Sequence, residues 1–296
     1  MDALHLLPER IAVVCHDAGG ANMVLSMLET LPAHEHQLGF FMQGPAEKLW
    51  RMRFPDAPAA SSLDEVLDRA DVLISGTGWA SDLEYEARVQ ARARKLRSIA
   101  VLDHWVNYAE RFVRDGQTVL PDQIWVCDSD ANSIAKQSFP TVPVVQLPNF
   151  YLQEQVRSLP AASAAPDELL YVMEPVRSNW GGDTAGEFQA LDFFMSMLPQ
   201  LGITHETAIR LRPHPSDPPG KYAGWLAGHA HLNVSMDDSR DLHAALVSAR
   251  RVAGCESFAL VVALAAGRQV YCTLPPWAPP CRLPHKGLIH LKDLRN

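Results

Sequence analysis

Short apolar runs alternate with amphipathic stretches along most of the chain. Runs of strand length occur at residues 11–15, 38–42, 72–75, 98–102, 123–127 and 142–146, and stretches with helical spacing at 21–31, 63–69, 82–95 and 132–137. After residue 166 the pattern restarts, with strands predicted at 169–173, 208–211, 231–234, 251–253 and 269–273 and helices at 184–201, 242–249 and 258–266. Strands that alternate with helices in this way favour a parallel sheet with helices on both faces.

The segment between the two patterns, residues 158–166 (SLPAASAAP), consists of small side chains and proline, which is typical of a linker. We therefore predict two domains, residues 1–157 and 167–296. The fold class expected is α/β, with two Rossmann-like domains facing across a cleft. Open sheets of this class bind ligands beyond the carboxyl ends of their strands.

Composition excludes some functions. The formal net charge of -8 argues against nucleic acid as a partner, since a phosphate backbone requires a basic face. Five cysteines are odd in number, widely spaced and without a CxxC pair, so neither a disulfide framework nor a zinc site is predicted. The first residues do not have the pattern of a signal peptide, and no apolar run approaches the roughly 20 residues of a membrane helix. We expect a cytoplasmic protein, with peripheral membrane contact left open.

Polar residues follow the first predicted strand, at His16, Asp17, Gly19 and Gly20. A carboxylate at a strand end can act as a general base, and small residues beside it allow a substrate to approach closely. The alternative is a helix cap in which the glycines serve the turn. The motif lacks the third glycine of GxGxxG, so it is a weak dinucleotide signature.

The segment DHWVNYAERF follows a later strand of the first half. Its polar and aromatic groups favour a sugar site, with two rings as a platform and the other groups bonding to hydroxyls; a structural aromatic corner is the alternative. The residues assigned to acceptor binding are Asp103, His104, Trp105, Asn107 and Tyr108, together with His16, Gly19 and Gly20 from the loop after the first strand. Glu84 and Glu86, on a charged helix, are interpreted as a solvated face.

Two motifs in the second half are typical of phosphate binding. In RPHPSD, two prolines hold His214 in a preset turn, where its near-neutral pKa suits phosphate binding or general-acid work. In GCESF, a glycine turn is followed by Ser257 at the start of a helix, and free N–H groups at a helix start attract anions. The alternatives are a loop histidine packed on proline and an ordinary helix cap.

Together these motifs resemble GT-B glycosyltransferases, and in particular the bacterial sialyltransferases, polysialyltransferases and related nonulosonic-acid transferases. His214 and Pro215 match the HP motif of these families, and Asp17 resembles their catalytic base. Glu256 and Ser257 stand at the position of their serine pair, of which only Ser257 matches. Arg-x-His-Pro is also similar to CDP-glycerol transferases, and Glu-Ser before an Ala/Gly-rich helix resembles the donor segment of enzymes that use UDP- or GDP-sugars.

The resemblance implies an inverting transfer from a CMP-nonulosonate to a glycan, glycolipid or protein acceptor in surface-glycan biosynthesis. Asp17 would deprotonate the acceptor and His214 would stabilise the leaving phosphate. The nucleotide and phosphate contacts implied are Arg177, Arg212, Pro215, Glu256 and Ser257. No metal or other cofactor is expected; Asp128 and Asp130 have DxD spacing, but at a helix start, which favours capping. The alternatives are a UDP-sugar epimerase or hydrolase, a CDP-glycerol-type transferase, and a non-enzymatic scaffold.

Overall fold

The protein is described here from a computed structural model that covers residues 3–32, 34–78, 80–176 and 178–294. It divides into two compact units, Met1–Gln153 and Glu154–Asn296. Residues 158–166 belong to the second unit, where Arg268 donates to the carbonyl of Pro160 at 2.7 Å and Arg250 donates to that of Ser163 at 3.2 Å. The small side chains of this segment thus let its backbone pack on the second unit.

A parallel sheet forms the centre of the first unit, and its strand order is β2-β1-β3-β4-β7-β8. A short antiparallel pair, β5 and β6, lies outside it. In chain order the elements are β1 (Arg10–Cys15), α1 (Ala18–Leu28), β2 (Gln37–Met42), α2 (Gly44–Arg53), α3 (Leu63–Asp68), β3 (Val72–Ser75), α4 (Leu83–Ala93), β4 (Arg97–Val101), β5 (Val113–Arg114), β6 (Gln117–Thr118), β7 (Gln123–Val126), α5 (Ser129–Ser138), β8 (Val144–Gln146) and α6 (Phe150–Val156).

Strand β1 shows why this sheet is covered on both faces. Its residues alternate between two hydrophobic clusters: Ile11 and Val13 belong to one, and Ala12 and Val14 belong to the other. All four are at most 1% exposed. Because successive side chains of a strand point to opposite faces, an apolar run without alternation requires apolar cover on each side. Helices α1 and α2 contribute to the first cluster, and α3 and α4 to the second.

The second unit has a parallel sheet in the order β11-β10-β9-β12-β13-β14. Its helices α7 and α10 supply much of the buried apolar surface. The elements are β9 (Glu168–Val172), α7 (Gly186–Met197), β10 (Ile209–Arg212), α8 (Ala223–Gly228), β11 (Val234–Met236), α9 (Leu242–Val247), β12 (Ala249–Gly254), α10 (Phe258–Ala265), β13 (Gln269–Cys272) and β14 (Ile289–His290). Gly254 is needed for close packing, since a Cβ there would lie 2.7 Å from Val172 Cγ2.

Both sheets change winding direction once, between β1 and β3 in the first unit and between β9 and β12 in the second. The α/β class with two Rossmann-like sheets is therefore confirmed. Such reversals open a crevice at the carboxyl ends of the two central strands, where ligands of this fold class bind. Among the described residues, no helix is both long and apolar enough to cross a membrane.

Candidate functional site

At the reversal point of the first unit, His16 and Asp17 directly follow β1. Asp17 is the N-cap residue of α1, but its side chain makes no capping hydrogen bond. Its Oδ1 lies 2.8 Å from Nδ1 of His16, and the two side chains are 27% and 21% exposed. By contrast, the N-cap side chains of α3, α5 and α9 accept the expected backbone N–H groups. The capping alternative for Asp17 is therefore wrong.

The Asp17 hydrogen bond fixes the tautomer of His16. A carboxylate oxygen accepts a hydrogen bond, so in the neutral imidazole Nδ1 carries the proton and Nε2 keeps its lone pair. Two glycines make room for this pair: a Cβ on Gly78 would overlap the Asp17 carboxylate, and a Cβ on Gly44 would lie 2.5 Å from His16 Nε2. Gly44 also has a φ of 55°, which favours glycine. The result is an oriented histidine base with a carboxylate behind it.

The buried carboxylate of Glu84 holds the backbone of this pair in place. Its Oε1 accepts the backbone N–H of His16 at 2.9 Å, and the residue is 0% exposed. Burial raises the pKa of Glu84, and the negative charge of Asp17 adds to the rise. The prediction of a solvated face is thus wrong for Glu84, whereas Glu86 is exposed. Helix α4 points the Glu84 carboxylate into the protein because its first turn packs against the end of β1.

Asp103 follows β4 and is held by a buried arginine. Arg111 Nη1 donates to Asp103 Oδ1 at 2.6 Å and to Thr77 Oγ1 at 3.1 Å, so the carboxylate has a fixed orientation. A Cβ on Gly19 would overlap Asp103, and one on Gly20 would lie 3.2 Å from the Gly76 Cα. These glycines therefore make room for neighbouring protein groups. Asp103 itself remains 19% exposed and adds a second carboxylate to this edge of the sheet.

The aromatic residues of DHWVNYAERF are not a platform for sugar. Trp105 and Tyr108 are only 5% and 4% exposed, so neither ring has an open face. Trp105 Nε1 donates to Asp128 Oδ2 at 2.8 Å, while Asp128 Oδ1 caps α5 through the N–H of Ala131 at 2.6 Å. The structural alternative is correct for both rings, and the capping interpretation of the DxD sequence is confirmed. His104 packs edge-on against Trp105.

Asn107 is half-buried in the same turn and has a φ of 57°. Asparagine tolerates this left-handed region better than most residues, so its place here has a backbone explanation. Its carbonyl accepts the N–H of Arg111 at 3.3 Å. Asn107 thus helps to hold the arginine that fixes Asp103.

In the second unit, His214 follows β10 in a turn that Asp217 organises. Asp217 Oδ2 accepts the His214 backbone N–H at 3.0 Å and the Tyr222 hydroxyl at 2.7 Å. Lys221 Nζ lies 2.7 Å from Asp217 Oδ1 and 2.6 Å from Glu187 Oε1. Burial alone would raise the pKa of Asp217, but hydrogen bonds from Lys221 and Tyr222 hold it below its ordinary value. The turn therefore depends on more than its prolines.

The contacts of the His214 imidazole indicate the tautomer with its proton on Nε2. Nδ1 accepts the Ser216 N–H at 3.2 Å and lies 2.7 Å from Ser216 Oγ, which leaves the ring proton on Nε2. Burial lowers the pKa of His214, against the opposing charge of Asp217. A neutral histidine with an Nε2–H can donate a hydrogen bond to a phosphate oxygen at neutral pH.

At the reversal point of the second unit, Glu174 follows β9 and Ser257 begins α10. Glu174 Oε1 accepts the Glu256 N–H at 2.7 Å. Burial raises the pKa of Glu174 to about 7, and the nearby charge of Glu256 contributes. Ser257 is the N-cap of α10, yet it makes no capping bond, and its Oγ is buried without a partner in the described structure. As at Asp17, the capping alternative fails.

The other predicted phosphate contacts have different surroundings. Arg212 Nη1 donates to Asp237 Oδ2 at 2.6 Å, so its charge is already paired, and Pro215 is exposed. The Glu256 carboxylate accepts the Arg282 N–H at 3.0 Å and its Nη2 at 2.5 Å. Arg282 was missed by the sequence analysis, and it brings to this strand end a guanidinium that is ion-paired with Glu256. Arg177 lies outside the described residues.

Glu174→Gln tests the titration at this site. The pKa of Glu174 is about 7 in the folded protein and 4.5 in the unfolded chain. Its protonated carboxyl therefore contributes its full stabilisation of the fold below pH 4.5, and this contribution is lost as the pH rises through 7. We expect wild-type stability relative to the variant to fall by about 1–3 kcal/mol between these limits. Urea unfolding at several pH values measures this, with Glu86→Gln as the exposed control. A pH-independent difference would contradict it.

The sequence matches no protein-family model and no curated protein sequence. Solved structures with a similar fold include those of three enzymes. The UDP-GlcNAc 2-epimerase of Methanocaldococcus jannaschii has a TM-score of 0.58 and 8% identity, over 89% of this chain and 83% of that one. The Neisseria meningitidis UDP-GlcNAc 2-epimerase bound to UDP-GlcNAc has a TM-score of 0.56 and 9% identity, over 89% of this chain and 82% of that one. The glycotransferase of kitacinnamycin has a TM-score of 0.54 and 14% identity, over 90% of this chain and 80% of that one.

At these identities the likeness establishes the fold, which is of the GT-B type with two Rossmann-like units. The predicted GT-B fold is confirmed. The narrower resemblance to sialyltransferases finds no specific support among these structures. Fold alone does not set the chemistry, which has to be argued from the two strand-end sites.

Proposed function

We propose that this protein is an enzyme that acts on a UDP-sugar, with the second unit binding the nucleotide diphosphate and the first supplying acid–base groups. Conversion of the UDP-sugar itself, by epimerisation or hydrolysis, is the preferred reaction. The similar structures include epimerases of UDP-GlcNAc, one of them bound to that compound. This reverses the order of the sequence-based alternatives, in which CMP-nonulosonate transfer came first.

The Ser257 hydroxyl is the observation that carries the nucleotide site. A buried hydroxyl without a partner is costly unless a ligand completes its hydrogen bonds. It lies at the start of α10, where the helix dipole favours an anion, although the N–H groups of Glu256 and Ser257 already bond to the Glu174 carboxylate. A phosphate oxygen of the diphosphate satisfies both requirements.

His214 and Arg282 complete the proposed diphosphate site. The strand β9 lies between β10 and β12 in the sheet, so the turns after all three strands meet at one edge. His214 offers an Nε2–H donor from the turn after β10, and Arg282, whose charge is paired with Glu256, brings a guanidinium to the start of α10. Neutral and charged donors of this kind stabilise a phosphate without a metal ion.

The His16–Asp17 pair supplies proton transfer. Epimerisation requires a base that removes a proton from one face of a carbon and delivery of a proton to the opposite face, and hydrolysis requires a base for water. An oriented histidine can serve as the base in either reaction. Glycosyl transfer to an acceptor hydroxyl is the second candidate, favoured by the similar glycotransferase structure. It would use the same base. The intact and partly exposed pair argues against a scaffold without activity.

A thermal-shift series tests the nucleotide site. With no metal ion added, UDP is expected to raise the Tm, since a ligand at 100 times its Kd adds about 2.7 kcal/mol to stability. Ser257→Ala should keep the Tm of the unliganded protein, because no capping bond is lost, but weaken UDP binding by roughly 10–150-fold. His214→Ala should also reduce the shift. Ser133→Ala, on the exposed face of α5, is the control.

The other outcomes are equally informative. A shift with CMP or CDP and none with UDP would return the donor to the nonulosonate or glycerol class. A lower unliganded Tm in Ser257→Ala with an unchanged UDP shift would show that Ser257 is only a structural cap. Incubation with UDP-GlcNAc, with and without a glycan acceptor, then separates the reactions: epimer or free sugar without acceptor indicates the preferred one.

A further inference from the structure

Two thiols and an imidazole meet at the edge of the second sheet. The donor atoms of Cys272, Cys281 and His290 all lie within 4.8 Å of one another. Cys272 is the last residue of β13 and His290 the last of β14, and the two are register partners in the parallel pair. Cys281 comes from the segment between these strands. The arrangement therefore depends on the fold and has no local sequence spacing.

The set of donors suits a soft divalent cation. Thiolate and neutral imidazole are preferred ligands of zinc, with Zn–S about 2.3 Å and Zn–N about 2.0–2.1 Å. Donors of a tetrahedral site are then roughly 3.3–3.8 Å apart, so the three side chains need to move by no more than about 1 Å. Cys272 is buried, whereas Cys281 and His290 are partly exposed, which gives an ion and a water molecule access.

The position of Cys281 indicates a structural role for the site. Residues 273–288 contain five prolines and form neither helix nor strand in the described structure. This segment also carries Arg282, next to Cys281, whose guanidinium bonds to Glu256 at the start of α10. A metal that ties Cys281 to β13 and β14 would hold the segment, and Arg282 with it, in one conformation.

We propose that Cys272, Cys281 and His290 bind one zinc ion, with water in the fourth position. The bound ion anchors the proline-rich segment and takes no part in proton transfer. This site is independent of the identity of the nucleotide. Binding deprotonates the two thiols, so zinc uptake releases protons and weakens at acid pH.

Metal binding to the stripped, reduced full-length protein tests the proposal. We expect one zinc per chain by elemental analysis and a rise in Tm on adding zinc to the apo protein. Cobalt in place of zinc should give a thiolate charge-transfer band. Cys281→Ser and His290→Gln should each lose stoichiometric zinc and the zinc-dependent rise in Tm. Cys127→Ser, a buried thiol of the first unit, should keep both.

Three results would overturn the site. They are no zinc uptake by folded, reduced wild type; equal uptake by Cys281→Ser and wild type; and a cobalt spectrum without thiolate character. A Cys272–Cys281 disulfide that forms on purification, followed by no zinc uptake after reduction, would assign the thiols to redox chemistry instead. Because wild-type uptake is measured directly, a variant that fails to fold does not leave the question open.

Discussion

Asp17→Asn is expected to lower kcat for UDP-sugar conversion by about 10²–10⁴-fold and to leave the Tm nearly unchanged. The carboxylate accepts the Nδ1 proton of His16 at 2.8 Å. An asparagine amide can turn its N–H₂ toward the ring, which places the proton on Nε2 and removes the lone pair that serves as base. Stability changes little because the Asp17 side chain makes no capping bond to α1.

Asp71→Asn is the matched control for this variant. Asp71 lies just before β3, at the opposite end of the same sheet, and pairs with Arg10 on the surface. Its replacement should leave kcat at the wild-type level. If Asp17→Asn retained wild-type kcat, the proton-transfer role of the pair would be excluded; a large increase in KM with unchanged kcat would make Asp17 a binding residue instead.

The sequence predicted strands best where helices bury both faces of the sheet. The strand at residues 72–75 is apolar at all but its last position because helices cover both faces, and the structure has that strand at Val72–Ser75. The sequence indicated helix α2 less clearly, because only two of its residues, Ala46 and Trp50, are buried and its exposed charged residues outnumber them. The two-residue strand β14 has too little pattern to be predicted, since its pairing with β13 is a long-range event.

For the candidate sites, position was easier to predict than environment. His16, Asp17, His214 and Ser257 lie at strand ends, as their places after apolar runs indicated. The inward turn of Glu84 was not predictable, because it depends on how α4 packs under β1 and β3. Likewise, Trp105 looks like a sugar platform in the sequence, but burial of its ring needs the contact to Asp128 across 23 positions.

Arg88→Met is expected to reduce the free energy of unfolding by about 3–5 kcal/mol. The Arg88 guanidinium is 1% exposed and donates to Ser75 Oγ at 3.4 Å and to the carbonyls of Gly76 and Arg111 at 3.3 and 3.4 Å. Burial raises the pKa of Glu84, and the charge of Arg88 opposes that rise. Methionine fills much of the volume, but it leaves three acceptors and one carboxylate without their donor or counter-charge.

Urea unfolding of Arg88→Met and of the exposed control Arg92→Met measures this cost, and a loss below about 1 kcal/mol for Arg88→Met would contradict the buried network. Without Arg88 the pKa of Glu84 rises further, so the variant should lose more stability as the pH increases and Glu84 ionises. Adding Glu84→Gln removes the uncompensated charge and should recover part of the loss. Because Glu84 accepts the His16 N–H, Arg88→Met should also lower kcat, which ties the stability of α4 to the geometry of the base.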